Sequence, residues 1–273
     1  METFVPLGDL RFRCRLDGPQ GAPWLVFSNS LMTDLTLWDD QVAGFGDRFR
    51  ILRYDQRGHG GTSVPARPAD FDQLSQDLVG LFDRFAIAKA VVAGVSMGAV
   101  TALRFGALHP ERVLALVLSD CNAATPSGGA AGWDQRIAIA AAGDMAALVE
   151  PTVGRWFTPA SLDAGGPAPE RVRAMIRHTP FDGFVRAVAA LQNFDFRADL
   201  ARIACPTLLI AGAMDGTLPA GMRRMADEIA GAEFALIEAA GHLPNIERPA
   251  AFNRLLADFL KTVPKEPSCA SET

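Results

Sequence analysis

The sequence predicts an α/β fold in which a mostly parallel central sheet is flanked by helices. Short apolar runs alternate with segments of helical periodicity in two blocks, 1–124 and 196–262, and strands that alternate with helices usually pair in parallel. The stretch between the blocks, 125–195, has helical patterns and no clear strand. We therefore expect one core built from the two blocks, with a helical cap inserted over the carboxyl ends of its strands, where open α/β sheets bind their ligands.

Length and composition are typical of a single globular domain. The chain has 273 residues, of which 49% are hydrophobic and 21% charged, and its net charge of −5 argues against a nucleic-acid partner. No run approaches the roughly 20 apolar residues of a membrane span. The first residues lack the basic and then apolar pattern of a secretory signal, so we expect a cytoplasmic protein with no membrane partner.

Cysteine and histidine usage predicts neither a disulfide framework nor a metal site. The cysteines are scattered without a C-x-x-C pair, which favours reduced thiols. Only four histidines are present, and none are spaced as paired ligands. We expect no metal and no cofactor, and the sequence leaves the oligomeric state open.

Each strand of the first block is predicted from its apolar pattern. Residues 10–16 alternate between apolar side chains and arginines, which indicates an edge strand with one solvent-exposed face. Residues 71–86 carry apolar side chains at helical spacing and predict an amphipathic helix. Further strands are predicted at 24–27, 50–54, 90–93 and 113–118, and a helix at 99–109.

The cap and the second block follow the same logic. Helices are predicted at 133–142, 145–156, 169–178 and 181–192 in the cap, and strands at 207–211 and 233–237 in the second block. Pro249 suits the first turn of the last helix. The polar, proline-containing tail 263–273 is predicted to be disordered.

The turn between the strand at 90–93 and the following helix reads Gly94-Val95-Ser96-Met97-Gly98. Strand, G-x-S-x-G, helix is the pattern of a nucleophile elbow, in which a sharp turn strains the serine backbone and lifts Oγ clear of the sheet. The glycines allow strand and helix to approach closely. This context makes Ser96 the candidate nucleophile.

A serine hydroxyl needs an adjacent base, and the base needs an orienting acid. After a nucleophile elbow these follow in the order acid and then histidine. Asp215 comes directly after the strand at 207–211, and His242 lies between the last strand and the last helix. We predict a triad of Ser96, Asp215 and His242, with Asp120 as the alternative acid. Taken singly, an aspartate after a strand is more often a helix N-cap, and a histidine in a loop is more often simply exposed to solvent.

Two backbone N–H groups should stabilise the oxyanion of such a site. One is predicted to be that of Met97, the residue after the nucleophile. The other is expected from the loop after the strand at 24–27, where Ser30 is the best candidate. The turn at 53–60 contains several charged residues and His59. We interpret it as a structural turn held by hydrogen bonds, and we do not expect His59 to be the catalytic base.

With these residues in place, the chain resembles the α/β-hydrolases over its whole length except the tail, and within them the 3-oxoadipate enol-lactonases. The narrower resemblance rests on Ser28-Asn29-Ser30-Leu31 with Thr33-Asp34-Leu35 and Trp38, on Arg53-Tyr54-Asp55 with Arg57-Gly58-His59-Gly60, on Trp133 with Arg136, and on Arg155-Trp156-Phe157-Thr158-Pro159. It implies a helical cap and a Ser96, Asp215, His242 triad. Met32 departs from the pattern, because similar enzymes often have glycine there.

The resemblance implies a serine hydrolase that opens a small lactone bearing a carboxylate. A mostly apolar pocket then needs one cation, and Arg136 and Arg155 in the cap are the candidates, because guanidinium binds carboxylate with two parallel hydrogen bonds. Both arginines could instead tie cap helices together or face solvent. Trp38, Trp133 and Trp156 are candidate pocket walls, with plain packing as the alternative.

Other functions share this triad. A carboxylesterase, a carbon–carbon bond hydrolase or a perhydrolase would use the same three residues. A non-catalytic ligand receptor of the same fold is a further alternative, because fold alone does not settle function.

Overall fold

The computed structural model describes residues 1–264, and within them one eight-stranded sheet forms the centre of the molecule. The strands are β1 (Glu2–Leu7), β2 (Leu10–Asp17), β3 (Trp24–Ser28), β4 (Arg50–Tyr54), β5 (Ala90–Val95), β6 (Val113–Ser119), β7 (Thr207–Gly212) and β8 (Glu233–Ile237). Their order in the sheet is β1-β2-β4-β3-β5-β6-β7-β8. Strands β1, β2 and β4 pair antiparallel and all later neighbours pair in parallel, which confirms the predicted mostly parallel sheet.

Helices connect and cover these strands. They are α1 (Asp39–Phe45), α2 (Phe71–Arg84), α3 (Met97–Leu108), α4 (Gly129–Gly143), α5 (Val149–Trp156), α6 (Pro159–Asp163), α7 (Pro167–His178), α8 (Phe181–Gln192), α9 (Leu218–Glu228), α10 (Pro244–Glu247) and α11 (Pro249–Thr262). Short 3-10 turns span Leu35–Trp38, Pro110–Arg112, Met145–Leu148 and Arg197–Arg202.

Strand β2 is not the edge of the sheet, contrary to our prediction. Strand β1 pairs along its outer side from Glu2 to Leu7 and is itself the edge. Only Val5 of β1 is buried. The sequence of β1 therefore lacks the alternation of apolar and polar residues from which a strand is predicted. The predicted face of β2 is correct, because Phe12 and Cys14 are fully buried while Arg11 is exposed.

The register of the parallel strands aligns their carboxyl ends along one rim. Ser28 lies opposite Gly94, and Val95 lies opposite Ser119. Gly212 lies opposite Ile237 at the far side of the same rim. Loops that leave the ends of β3, β5, β6, β7 and β8 therefore meet above this edge of the sheet.

The segment predicted as a cap is helical throughout. It contains α4 to α8, and an isolated antiparallel bridge between Ala124 and Asp195 joins its two ends. The helix predicted at 145–156 divides into a 3-10 turn and α5, and α6 was not predicted because none of its residues is buried. The division into cap and core at these positions stays a prediction.

The remaining predictions concern the ends and the surface of the chain. Cys14, Cys121 and Cys205 are free, whereas Cys269 and all but the first two residues of the predicted tail 263–273 lie outside the described residues. Across residues 1–264, no helix combines the length and apolar character that crossing a membrane requires.

Candidate active site

Ser96 sits in a strained turn between β5 and α3. Its backbone adopts φ 55° and ψ −120°, a region that side-chain-bearing residues rarely enter. A Cβ on Gly94 would lie 2.3 Å from the Gly98 carbonyl carbon, and one on Gly98 would lie 2.2 Å from the Ser28 carbonyl oxygen. Only glycine fits at these two positions, so the pattern that predicted the elbow has a steric cause.

His242 and Asp215 are hydrogen bonded to each other on the neighbouring rim loops. His242 Nδ1 lies 2.7 Å from Asp215 Oδ2, and both side chains are largely buried. The His242 backbone N–H donates to the Trp156 carbonyl oxygen at 2.8 Å, which ties this loop to the end of α5. With Nδ1 protonated toward the carboxylate, Nε2 carries the lone pair that a general base needs.

All three predicted triad residues open onto one cavity of about 380 Å³ between the sheet rim and the cap. Ser96 is partly exposed there, and His242 and Asp215 line the same space. Within residues 1–264 Ser96 Oγ makes no hydrogen bond, so its link to His242 stays a prediction. Catalytic hydrogen bonds commonly tighten only when substrate is bound.

Asp120, the rival acid, is buried beneath the pair. Its Oδ1 accepts the Gly212 N–H at 2.9 Å and its Oδ2 accepts the Ser119 hydroxyl at 2.7 Å. Burial, reinforced by the neighbouring Asp215 carboxylate, raises the pKa of Asp120 well above its usual range. Of the two carboxylates, Asp215 is the one hydrogen bonded to His242.

These same side chains are where the described residues could best hold a metal ion. Ligand atoms of Asp120, Asp215 and His242 lie within 4.8 Å of one another. Each of these side chains already has a hydrogen-bond partner within the protein. His242 Nδ1 is hydrogen bonded to Asp215. The geometry favours an acid–base pair over a metal centre.

The two candidate oxyanion donors lie on adjacent elements. The end of β3 pairs with the elbow strand at Ser28 and Gly94, and the tight approach of Gly98 to the Ser28 carbonyl brings the following loop against α3. Met97 is the first residue of α3, where backbone N–H groups have no partner within the helix. The Ser30 N–H has no acceptor within residues 1–264, although the residue is fully buried.

Four of the five predicted substrate-binding residues line the cavity: Trp133, Arg136, Arg155 and Trp156. The Arg136 guanidinium lies over the Trp133 ring, 4.3 Å from its centroid. Within the described chain, neither Arg136 nor Arg155 forms an ion pair with a carboxylate. Desolvation by surrounding protein atoms lowers the pKa of Arg155, and the Asp215 carboxylate partly opposes this shift. The residue as a whole is nevertheless exposed to solvent.

The prediction for Trp38 is wrong. Trp38 is fully buried in the core, and its ring stacks on Phe27 with 4.4 Å between centroids. Phe252 of α11 packs on it from another side at 6.1 Å. The 3-10 turn that carries Trp38 lies against β3, so the side chain points into the core rather than into the cavity.

Several cavity residues were not predicted from the sequence. Cys121 and Asn122 follow β6, and Thr217 and Leu218 follow Asp215 after β7. These residues follow strands whose carboxyl ends lie on the same rim, and that position in the sequence could have predicted them as cavity residues. Leu191 and Phe194, at the end of the cap, carry no such signal.

The chain is similar to known proteins over most of its length. The sequence model of the alpha/beta hydrolase family matches residues 21–255, so the chain belongs to that family. 3-Oxoadipate enol-lactonase 2 of Acinetobacter baylyi is 33% identical over 245 residues, which cover 89% of this chain and 91% of the relative. A Pseudomonas syringae relative assigned as the carbamate hydrolase RutD is 29% identical over 248 residues, 89% of this chain and 95% of its own.

The crystal structure of the enol-lactonase from Burkholderia xenovorans LB400 matches with a TM-score of 0.91 and 35% identity, over 95% of this chain and 100% of that chain. The resemblance predicted from the sequence is thereby confirmed. The protein is an enzyme of the hydrolase class that is similar to enol-lactonases over most of its length.

Proposed function

We propose that the protein is a serine hydrolase that opens a small carboxylate-bearing lactone similar to 3-oxoadipate enol-lactone. The observation that carries this proposal is the single cavity in which Ser96 and the His242–Asp215 pair face two arginines that lack a carboxylate partner within the described chain. A nucleophile supported by a base suits an ester carbonyl, and unpaired guanidinium groups suit a carboxylate.

The first half of the reaction forms an acyl-enzyme. His242 Nε2 removes the proton of Ser96 Oγ as this oxygen attacks the lactone carbonyl carbon, and Asp215 stabilises the imidazolium that results. Negative charge moves to the carbonyl oxygen, where the N–H groups of Ser30 and Met97 donate to it. The ring C–O bond then breaks, and the imidazolium returns its proton to the departing enol oxygen.

The second half releases a dicarboxylate. The enol tautomerises to a ketone, which removes the leaving group as a nucleophile and makes ring opening effectively irreversible. A water molecule gives a proton to His242 and attacks the acyl carbon, and Ser96 leaves with that proton. The new acid carries the released carboxylate at one end and the pendant one at the other.

Recognition of the pendant carboxylate is assigned to Arg155, with Arg136 as the second candidate. Arg136 is partly held by its stacking on Trp133, whereas Arg155 has no hydrogen bond or ion pair within residues 1–264. A guanidinium freed of competing partners loses little on binding a carboxylate and gains a bidentate contact.

The nucleophile is tested by Ser96→Ala with a chromogenic short-chain ester. We expect kcat to fall by at least about 10³-fold, because the residual activity of such a site comes only from binding and the oxyanion donors. Ser75→Ala removes another buried hydroxyl outside the cavity and serves as the matched control. Activity retained in Ser96→Ala would refute the assignment, and an inactive parent enzyme would favour the receptor alternative.

The carboxylate site is tested by Arg155→Ala with paired substrates. We expect kcat/KM for a lactone with a pendant carboxylate to fall about 10- to 100-fold, since a charge-assisted contact is worth about 1.5–3 kcal/mol. The value for a neutral lactone of the same ring should change less than threefold. Arg177→Ala, which removes an exposed arginine of α7 outside the cavity, is the control; equal effects of Arg155→Ala on both substrates would exclude Arg155 from recognition.

Carbamate hydrolysis is a second candidate, because five relatives assigned that activity are 28–30% identical to this chain. The same triad could attack a carbamate carbonyl carbon. Including a carbamate ester in the substrate panel separates the two proposals by their kcat/KM values.

A further inference from the structure

Asp120 is a buried carboxylic acid that takes no part in the reaction derived above. It follows β6 directly, is 1% exposed and lines the same cavity as the predicted triad. We infer that Asp120 is an uncharged positioning residue, which holds the loop of Asp215 in the place from which this acid contacts His242. The inference rests on the proposed function, because it assumes that Asp215 orients His242 as the base.

The end of strand β7 connects Asp120 to the loop of Asp215. Asp120 Oδ1 accepts the backbone N–H of Gly212, the last residue of β7, at 2.9 Å. The carbonyl oxygen of Gly212 in turn accepts the Asp215 N–H at 3.0 Å. A side chain that fixes Gly212 therefore also fixes the turn that ends at Asp215.

Gly212 also lies against the loop that carries His242. A Cβ on Gly212 would lie 1.9 Å from the carbonyl oxygen of Gly241, the residue before His242. No side chain separates the two backbones here, so a shift of one is passed directly to the other. Displacement of Gly212 would therefore change the position of Asp215 relative to His242.

Asp120 is itself held firmly in place. Its φ of 47° lies in the left-handed region, which aspartate and asparagine enter more readily than most other side chains do. Its N–H donates to the Ile210 carbonyl oxygen of β7 at 3.1 Å, and its Oδ2 accepts the Ser119 hydroxyl at 2.7 Å. Asp120 is therefore a fixed point from which Gly212 can be positioned.

The surroundings of Asp120 favour its uncharged form. Within residues 1–264 no arginine or lysine pairs with it, and one of its oxygens lies within 4.8 Å of an oxygen of Asp215. Two ionised carboxylates at this separation would repel each other strongly in a buried site. Burial, together with the charge of Asp215 and a hydrogen bond to it, raises the pKa of Asp120 well above its usual range.

A protonated Asp120 resembles an asparagine in shape and in hydrogen bonding. Its carbonyl oxygen accepts the Gly212 N–H, and its hydroxyl can donate to the Asp215 carboxylate, as the Nδ2 group of an asparagine would. A role through charge predicts that Asp120→Asn is as damaging as Asp120→Ala. A role through position predicts that the asparagine preserves function and the alanine does not.

The first test compares kcat and KM of these two variants on the chromogenic ester. We expect Asp120→Ala to lower kcat about 10- to 100-fold with KM changed less than about threefold, because displacing a catalytic group by about 1 Å can cost about 10²-fold. Asp120→Asn should keep kcat within about threefold of the parent, since it retains an acceptor for Gly212 and carries no charge.

A second measurement reads the contact between Asp215 and His242 without substrate. The proton between His242 Nδ1 and Asp215 Oδ2 should give a separate low-field ¹H NMR resonance in the free enzyme. We expect this resonance in the parent and in Asp120→Asn, and its weakening or loss in Asp120→Ala. A loss of stability alone leaves the pair intact in the folded molecules, so the spectrum distinguishes positioning from a general structural role.

Thr62→Ala is the matched control. Thr62 is buried outside the cavity, and its Oγ1 likewise accepts a backbone N–H, that of Arg13, at 2.9 Å. We expect thermal unfolding to show a loss of stability comparable to that of Asp120→Ala. The kcat per folded molecule of the control should stay within about twofold of the parent.

Asp120→Ser takes the place of the alanine variant should that one fail to fold, because its shorter side chain cannot span the distance that the carboxyl group covers. Parent-like kcat in folded Asp120→Ala or Asp120→Ser would overturn the inference, and so would a loss in Asp120→Asn equal to that in Asp120→Ala. Failure of the proposed function is distinguishable, since it appears as activity that survives Ser96→Ala or as no turnover of carboxylate-bearing lactones. Neither outcome changes the resonance of the Asp215–His242 pair.

Discussion

His59 illustrates how burial decides the chemistry of a single residue. Its side chain is fully buried in the turn after β4, and Nδ1 contacts the Arg57 carbonyl oxygen at 3.1 Å. Desolvation lowers the pKa of His59 from 6.5 to about 4. The ring is therefore neutral near pH 7 and away from the cavity, in keeping with a structural role.

Stability should depend on pH through this residue. Between about pH 6.5 and pH 4 the unfolded chain binds a proton at His59 that the folded chain does not, so folding stability falls as the pH falls. The slope reaches at most about 1.4 kcal/mol per pH unit. Urea unfolding of the parent and of His59→Gln across this range should show a shallower decline in the variant; parallel curves would contradict the prediction.

Met32 is a residue with a strained backbone. Its φ of 58° lies in the left-handed region, which glycine enters without the steric cost that a side chain carries. The side chain is fully buried in the core, and burial of a methionine contributes roughly 1.5–3 kcal/mol. Packing therefore offsets the backbone strain.

At the scale of elements, the short helix α10 joins the cap to the loop that carries His242. Glu247 at its end accepts the Thr158 N–H at 2.9 Å and the Thr158 hydroxyl at 2.6 Å. Its second oxygen accepts the Gly241 N–H at 2.7 Å. One carboxylate thus fixes the start of α6 and the residue before His242 relative to each other.

Glu247→Ala should weaken both stability and catalysis. The change leaves three donors without their acceptor in a buried site, which we expect to cost about 2–4 kcal/mol in the free energy of unfolding. The looser His242 loop should also lower kcat about tenfold. Glu111→Ala, at an exposed carboxylate, is the control; unchanged kcat per folded Glu247→Ala molecule would show that Glu247 does not position His242.

Elements were predictable where their side chains are buried in a regular pattern. The bounds of β4 and β8 match the predicted 50–54 and 233–237. Strand β1 and helix α6 were missed because they bury at most one residue each, so their sequences lack a period. Their existence depends on pairing and packing with distant parts of the chain.

At the scale of the whole molecule, the cap and the sheet share one hydrophobic core. Val153 and Phe184 of the cap belong to the same cluster of buried residues as Phe27 and Leu116 of the sheet. The cavity opens where this packing is interrupted, above the rim that carries Ser96. Ser96, the predicted nucleophile, is therefore covered by residues of the segment 125–195 rather than by the sheet itself.

The sequence by itself determined the order of the strands and helices other than β1 and α6, the elbow at Ser96, and an acid and a histidine placed after later strands. These follow from local periodicity and from steric limits on glycine, which act over a few residues. Only the tertiary structure decided that Asp215 rather than Asp120 contacts His242, and that Trp38 faces the core. Such outcomes depend on distances between residues far apart in the chain, which no local pattern encodes.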